Sequence, residues 1–143
     1  MFVSIWQSWT KSSVIIASVL CIAELIYHES RSEPLEGQIA TGQVVMSRVA
    51  SHQYPDTPCE VIKQGGERKY QCQFSYWCDG KPETIANREA YGHAMVIAVG
   101  VYFSLYPDLT GQATHYHADY VQPNWAKHLH QTTKIGRHIF YRM

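Results

Sequence analysis

The sequence has no excess of charge of either sign. Twelve Lys and Arg residues balance twelve Asp and Glu residues, so the formal net charge of the 143 residues is zero at pH 7, and only 17% of them are charged. Proteins that bind nucleic acid usually have a basic surface. The balance therefore indicates a protein without a nucleic-acid partner, and the length is that of one domain with a single core.

The sequence also lacks an apolar run long enough to cross a bilayer, which takes about 20 residues. Residues 14–23 are nearly all apolar but supply only about half of that length. They have the size of the apolar part of a signal peptide, yet cleavage after them would remove most of the helix that they begin. We predict an N-terminal extension at 1–12, a single domain at 13–143, and a buried first helix at 14–30 capped by Ser12 or Ser13. Stable membrane insertion is not expected, and a retained signal-anchor is the alternative.

Cysteine is scarce, with four residues, and their spacing is not that of a zinc ribbon. Cys72 and Cys78 flank a short aromatic segment. We predict a disulfide between them, with Cys59 as a competing partner. Cys21 lies within the apolar helix, where a buried free thiol is the usual state.

The first helix ends in an acidic stretch that contains Glu29. In a helix, Glu29 shares a face with Ile22, Leu25 and Ile26, because residues three and four apart lie on the same side, whereas His28 falls away from that face. A carboxylate aligned with an apolar face loses hydration, so its pKa rises and it keeps a proton near neutral pH, as a general acid must. The alternative is an ordinary glutamate at the solvent-exposed edge of an amphipathic helix, which is the more frequent case.

The rest of the chain predicts two further long helices and a small sheet. Pro34 starts a helix at 35–51, Thr57 and Pro58 begin a short helix that ends near Lys63, and the third long helix is predicted at 82–105. Mixed aromatic and β-branched residues predict strands at 113–120 and 134–141. The fold class is therefore α+β, with about three main helices packed on a small antiparallel sheet and a cleft between them.

The first predicted strand contains a His-x-His pair. His115 and His117 lie on one face of such a strand and Tyr116 on the other. Two imidazoles in this arrangement can bind zinc, with Glu29 or Asp119 completing the site. No third ligand has a fixed spacing here, and histidines in such positions more often form hydrogen bonds, so no metal is predicted.

Four short blocks recur in the order of a known family. They are AELIYHESRSEPLEGQ at 23–38, the run from CQFS to CDG at 72–80, ATHYH at 113–117 and IGRHIFY at 135–141. Together they resemble the SleB-type cell-wall hydrolases, the spore-cortex-lytic enzymes and their bacterial and phage relatives, over roughly residues 20–142. Ser30 and Ser32 stand where that family usually has Ala and Gly, and Ser47 where its Asn-Arg-Val motif has Asn.

The resemblance implies a lysozyme-like fold and an enzyme that cleaves the β-1,4 bond between N-acetylmuramic acid and N-acetylglucosamine in peptidoglycan. Family members are best described as lytic transglycosylases, in which Glu29 would act first as the acid and then as the base, with no metal or cofactor. The substrate-binding candidates are Glu33, Gln73, Ser75, Tyr76, Trp77, His115, Tyr116, His117, Asn124 and Trp125. We expect a monomer that acts on the cell wall in the periplasm or outside the cell, with release through a phage holin as one export route.

Three other functions are compatible with the same residues. A muramidase would hydrolyse the same bond with a second carboxylate, supplied by Glu33 or Asp79. A zinc amidase would cut the lactyl–peptide bond with His115 and His117 as ligands. A non-catalytic wall-binding module would explain the two serine departures in the first block.

Overall fold

The computed structural model describes residues 2–66 and 73–143, with side chains from Lys11 onward. Four helices are present in these ranges: α1 (Phe2–Ser30), α2 (Leu35–Ala50), α3 (Pro58–Lys63) and α4 (Arg88–Tyr102). The strands β1 (His115–Ala118), β2 (His130–Ile135) and β3 (His138–Arg142) form one antiparallel sheet in the order β1-β3-β2. Short 3₁₀ turns lie at Ser75–Cys78 and Asn124–His128. The predicted α+β class is confirmed.

Helix α1 begins earlier than the sequence predicts. It starts at Phe2, so neither Ser12 nor Ser13 caps it. An exposed serine inside a helix is only slightly destabilising, and no proline or glycine at these positions ends the helix. Its second half forms the centre of the core, where Ile22, Leu25 and Ile26 are fully buried. The expectation that no apolar run is long enough to cross a bilayer is wrong by length and composition, because within the described residues the segment Lys11–Ser30 passes this test, as a buried core helix also does.

Helices α1, α2 and α4 pack closely around a small residue. A Cβ atom on Gly42 of α2 would lie 3.2 Å from both methyl groups of Val101 and 3.4 Å from the Cδ1 atom of Ile26. The absence of a side chain at Gly42 therefore lets α2 approach both α1 and α4 closely. This packing holds the three helices together, and the sheet and the cleft lie against them.

A disulfide joins Cys21 of α1 to Cys59 of α3 across 38 residues of chain. Closing a loop of this length stabilises a protein by about 2–4 kcal/mol. The predictions of a free thiol at Cys21 and of Cys59 as a partner for the other pair are wrong, because α3 packs on α1 and brings the two sulfur atoms together. Cys78 is also disulfide-bonded. Cys72 lies outside the described residues, so its pairing with Cys78 stays a prediction.

Helix α4 begins six residues later than predicted. Residues 82–87 are not helical, and the buried Tyr27 hydroxyl accepts hydrogen bonds from the backbone N–H groups of Ala86 and Asn87 at 3.1 and 3.0 Å. The Asn87 side chain then caps the helix by accepting from the Ala90 N–H at 3.0 Å. A contact from α1, distant in sequence, therefore decides where α4 starts.

The segment predicted as the last strand, 134–141, contains the turn of a hairpin between β2 and β3. A two-residue turn at Gly136 and Arg137 separates β2 from β3, and Gly136 has a φ of +58°, which favours glycine. Glu33 binds this turn, since its Oε1 atom accepts a hydrogen bond from the Arg137 N–H at 2.9 Å. The end of α1 is thereby attached to the sheet, and this attachment sets the cleft between them.

Candidate active site

A cleft of about 390 Å³ lies between the end of α1, the turn after residue 73 and the sheet. Glu29 lines it from the penultimate position of α1, next to the apolar face that the sequence predicts. The other lining residues are His28, Arg48, Gln73, Phe74, Ser75, Tyr116, His117, Ala118, Tyr120, Val121 and His138. Among the described residues, Glu29 is the only carboxylic acid in this lining.

Burial raises the pKa of Glu29 above its ordinary value. Two groups oppose this effect, because the Tyr116 hydroxyl and the Tyr76 backbone N–H face the carboxylate and lower the pKa of Glu29. The negative charge of Asp79 raises it further. Burial outweighs the two donors, so the prediction of a raised pKa is confirmed, and the group is suited to hold a proton near neutral pH.

The cleft wall contains a concentration of unsatisfied polar atoms. Five buried side-chain N or O atoms in the described part of the chain have no hydrogen-bond partner at normal bonding distance, and four of them belong to residues that line the cleft. Two of these four have a polar group nearby, because Tyr116 Oη faces the Glu29 carboxyl group and His138 Nδ1 lies 3.5 Å from Glu33 Oε1. The other two are His28 Nε2 and Arg48 Nη1. Buried polar atoms are nearly always paired, so such a group around one carboxylic acid is suited to a polar ligand.

Two histidines beside Glu29 are held as neutral rings. Burial lowers the pKa of His28, and the positive charge of Arg31 lowers it further. Burial also lowers the pKa of His138, although Glu33 opposes the effect. The His28 ring stacks on Tyr76 with ring centroids 4.7 Å apart. Both rings can therefore donate or accept hydrogen bonds without carrying charge at neutral pH.

The structure brings only part of the predicted substrate-binding set to the cleft. Gln73, Ser75, Tyr116 and His117 line it. Six other candidates do not line it: Glu33, Tyr76, Trp77, His115, Asn124 and Trp125. Asn124 lines a neighbouring depression that shares His117 and Val121 with the cleft.

Three of those six have structural contacts that explain their positions. Glu33 holds the hairpin turn and lies 3.5 Å from His138 Nδ1. Tyr76 reaches Glu29 through its backbone N–H rather than its side chain. Lys63 lies over the ring of Trp77, with the Lys63 nitrogen 4.9 Å from the ring centroid.

His115 and His117 point to the other face of the sheet from Tyr116 and belong to an aromatic cluster with Trp125, although His117 also lines the cleft. The Trp125 ring lies 5.1 Å from the ring of His115 and 5.6 Å from that of His117. His117 Nε2 is 2.8 Å from the Tyr141 hydroxyl, and its Nδ1 is 2.7 Å from the Ala118 carbonyl. The described residues contain no group of three or more His, Cys, Asp or Glu side chains placed to hold a metal ion.

Sequence reasoning missed His28, Arg48 and His138. The helix pattern predicts that His28 points away from the face of Glu29, but both residues are partly exposed and both line the cleft. Arg48 and His138 lie within two of the matching motifs, which is a signal that could have identified them. Their burial next to Glu29 depends on how α2 and β3 pack, which the sequence pattern does not show.

A model of the family described as Cell Wall Hydrolase matches residues 32–141. The chain belongs to the cell wall hydrolase family. The match begins three residues after Glu29, so the candidate acid itself lies just outside it. The spore cortex-lytic enzyme of Bacillus cereus is 32% identical over 120 residues, and that of Bacillus subtilis is 28% identical over 120 residues.

The chain corresponds to part of those enzymes. The alignments cover 83% of the chain but only 42% and 35% of the two relatives, so the chain spans about two fifths of their length. The catalytic domain of the Bacillus cereus SleB protein superposes with a TM-score of 0.65 at 31% identity, over 87% of this chain and 89% of that one. The catalytic domain of the Bacillus anthracis germination-specific lytic transglycosylase SleB gives 0.66 at 30% identity, over 87% and 93%. The lysozyme-like fold is thereby confirmed.

Proposed function

We propose that this chain degrades peptidoglycan as a lytic transglycosylase, with Glu29 as its catalytic acid and base. The observation that carries the proposal is the cleft wall, where one carboxylic acid of raised pKa lies with the Tyr116 hydroxyl that faces it and with the unpartnered atoms His28 Nε2 and Arg48 Nη1. A sugar polymer presents many hydroxyl and amide groups, which can satisfy such atoms. Membership of the cell wall hydrolase family agrees with this class of substrate.

Glu29 acts twice in the reaction. Its proton passes to the glycosidic oxygen that links N-acetylmuramic acid to N-acetylglucosamine, and the bond from C1 of the muramic acid to that oxygen breaks. The resulting carboxylate then takes the proton of the muramic acid 6-hydroxyl while O6 bonds to C1, which closes a 1,6-anhydro ring without consuming water. The Tyr116 hydroxyl and the Tyr76 N–H stabilise the carboxylate between the two steps, because both favour its charged form.

One carboxylate is sufficient for this reaction. The attacking hydroxyl belongs to the same sugar, so it has a large effective concentration and needs no activated water. Neither predicted second carboxylate lines the cleft. Glu33 binds the hairpin turn, and Asp79 accepts a hydrogen bond from the Lys81 N–H at 2.8 Å. Ser30, one of the departures from the family pattern, bonds to the Ile26 carbonyl at 3.2 Å within α1 and leaves Glu29 in place.

Mass spectrometry of the fragments released from purified peptidoglycan tests the proposal. We expect products lighter than the hydrolytic ones by one water, with anhydro-muramic ends. Reducing muramic ends would mean hydrolysis and a second carboxylate, for which Asp79 is the candidate because its charge reaches Glu29. Free peptides with intact glycan would move the chemistry to an amidase reaction at His115 and His117. Binding without release of fragments would indicate a wall-binding module.

The site of action follows from the substrate. We propose that the protein works as a monomer on cell-wall glycan in the periplasm or outside the cell, without stable insertion in a membrane and without a metal or cofactor. The disulfide between Cys21 and Cys59 agrees with an oxidising compartment. The fragment analysis needs only the purified chain, so it does not depend on the export route.

A further inference from the structure

Arg48 of α2 is held rigidly in the cleft wall. The residue is only 4% exposed, and its Nε atom donates a hydrogen bond to the Thr114 carbonyl at 2.7 Å. The guanidinium carbon lies 4.9 Å from the centroid of the Tyr54 ring and 5.1 Å from that of Phe74. These contacts fix both the plane and one edge of the guanidinium group, so its remaining N–H groups have a defined direction.

The charge of Arg48 has no counter-ion in the described part of the chain. No carboxylate there lies within 4 Å of it, and its Nη1 atom is buried without a hydrogen-bond partner. Burial lowers the pKa of Arg48, but an arginine stays protonated at neutral pH. A buried charge without a partner is costly, because desolvation is not offset by an opposite charge.

Arg48 does not pair with Glu29, although both line the cleft. No ion pair within 4 Å joins the two side chains in the described part of the chain. The cleft therefore combines a carboxylic acid that keeps its proton with a separate cation that lacks an anion. A substrate that supplies a carboxylate to the cation satisfies the charge and leaves the acid free to react.

We propose that Arg48 binds a carboxylate carried by the muramic acid unit of the substrate, on its lactyl group or on the attached peptide. The inference rests on the proposed function, since it assumes a glycan in this cleft. N-acetylglucosamine has no carboxylate, whereas muramic acid carries one on its lactyl substituent or through its peptide. Arg48 thereby distinguishes the two alternating sugars of the glycan. This recognition determines which glycosidic bond is placed next to Glu29.

Binding to chemically matched glycans tests this role. The Glu29→Gln variant of the whole chain is titrated with peptide-free glycan strands that have free lactyl carboxylates, and with the same strands after conversion of those carboxylates to amides. We expect the amidated strands to bind about tenfold more weakly, which corresponds to about 1.4 kcal/mol. Strands that retain their peptides separate the two sources: tight binding of these strands with weak binding of both peptide-free forms assigns the peptide carboxylate.

Substitution of Arg48 adds a second measurement. Adding Arg48→Gln should remove the preference for carboxylate strands, Arg48→Lys should retain part of it, and Arg142→Gln, at an exposed arginine on β3, should leave it unchanged. Equal binding of all three strands by Glu29→Gln would overturn the proposal even if the Arg48 variants did not fold. The fragment masses decide the proposed function separately, so equal binding together with anhydro products would overturn only the role of Arg48.

Discussion

The two faces of β1 differ in how completely their polar groups are satisfied. On the cleft face, Tyr116 packs against the rings of Phe74 and His138, and its hydroxyl faces the Glu29 carboxyl group without a closer protein partner among the described residues. On the outer face, both ring nitrogens of His117 are paired, with the Tyr141 hydroxyl and the Ala118 carbonyl, although this residue also lines the cleft. Adjacent residues of one strand therefore differ: the hydroxyl of Tyr116 is available to the candidate acid, whereas the ring of His117 is held by the sheet.

The largest expected effect is the loss of activity on replacing Glu29. Glu29→Gln keeps the shape of the side chain but removes the transferable proton, so the release of soluble fragments should fall by about 100- to 10,000-fold. Glu33→Gln is the matched control, because Glu33 binds the hairpin turn outside the cleft lining. It should lower thermal stability and leave turnover within a few-fold of the wild type. Near wild-type clearing of cell-wall substrate by Glu29→Gln would remove Glu29 from the mechanism.

The Tyr116→Phe variant removes the hydroxyl that faces Glu29. Turnover should fall by about tenfold, in line with the loss of one hydrogen bond to a charged group. Because this hydroxyl lowers the pKa of Glu29, its removal raises that pKa, and the alkaline limb of the pH–rate profile should move to higher pH. An unchanged profile would mean that the hydroxyl does not interact with the acid during turnover.

The raised pKa of Glu29 also affects stability. A carboxyl group whose pKa is higher in the folded state contributes stability below its unfolded pKa, and this contribution is lost as the pH rises through the folded pKa. Glu29→Gln should therefore become more stable than the wild type as the pH rises through this window, by up to about 1.4 kcal/mol per pH unit. Denaturant unfolding at several pH values measures the difference, and a difference that shrinks with rising pH would contradict the burial effect.

The smallest expected effect belongs to the outer face. Tyr141→Phe removes the hydroxyl that lies 2.8 Å from His117 Nε2, so the free energy of unfolding should fall by about 1 kcal/mol while turnover changes less than twofold. Unfolding curves and fragment release measured on the same preparation separate the two quantities. A large loss of turnover at unchanged stability would mean that the hydrogen bond between Tyr141 and His117 positions His117 for the substrate in the cleft.

The position of Glu29 could be predicted from the local sequence pattern. The three- and four-residue spacing on α1 places it beside Ile22, Leu25 and Ile26, which are buried. The burial of Glu29 itself raises its pKa, as predicted. The cap at Thr57, the turn at Gly136 and the faces of β1 depend on similarly local chemistry. The family resemblance added the order of the blocks and hence the class of substrate to test.

Tertiary structure alone decided which of the remaining residues meet Glu29. The Cys21–Cys59 disulfide depends on α3 packing against α1, and the late start of α4 depends on the Tyr27 hydroxyl. Arg48 lies 19 positions after Glu29, and only the packing of α2 against the sheet buries it in the same cleft. Spacing along a helix or strand determines which side chains share a face, but contacts between elements determine which faces meet. The spacing along one helix therefore identified the acid, whereas the burial of Arg48 in the same cleft depends on contacts between elements.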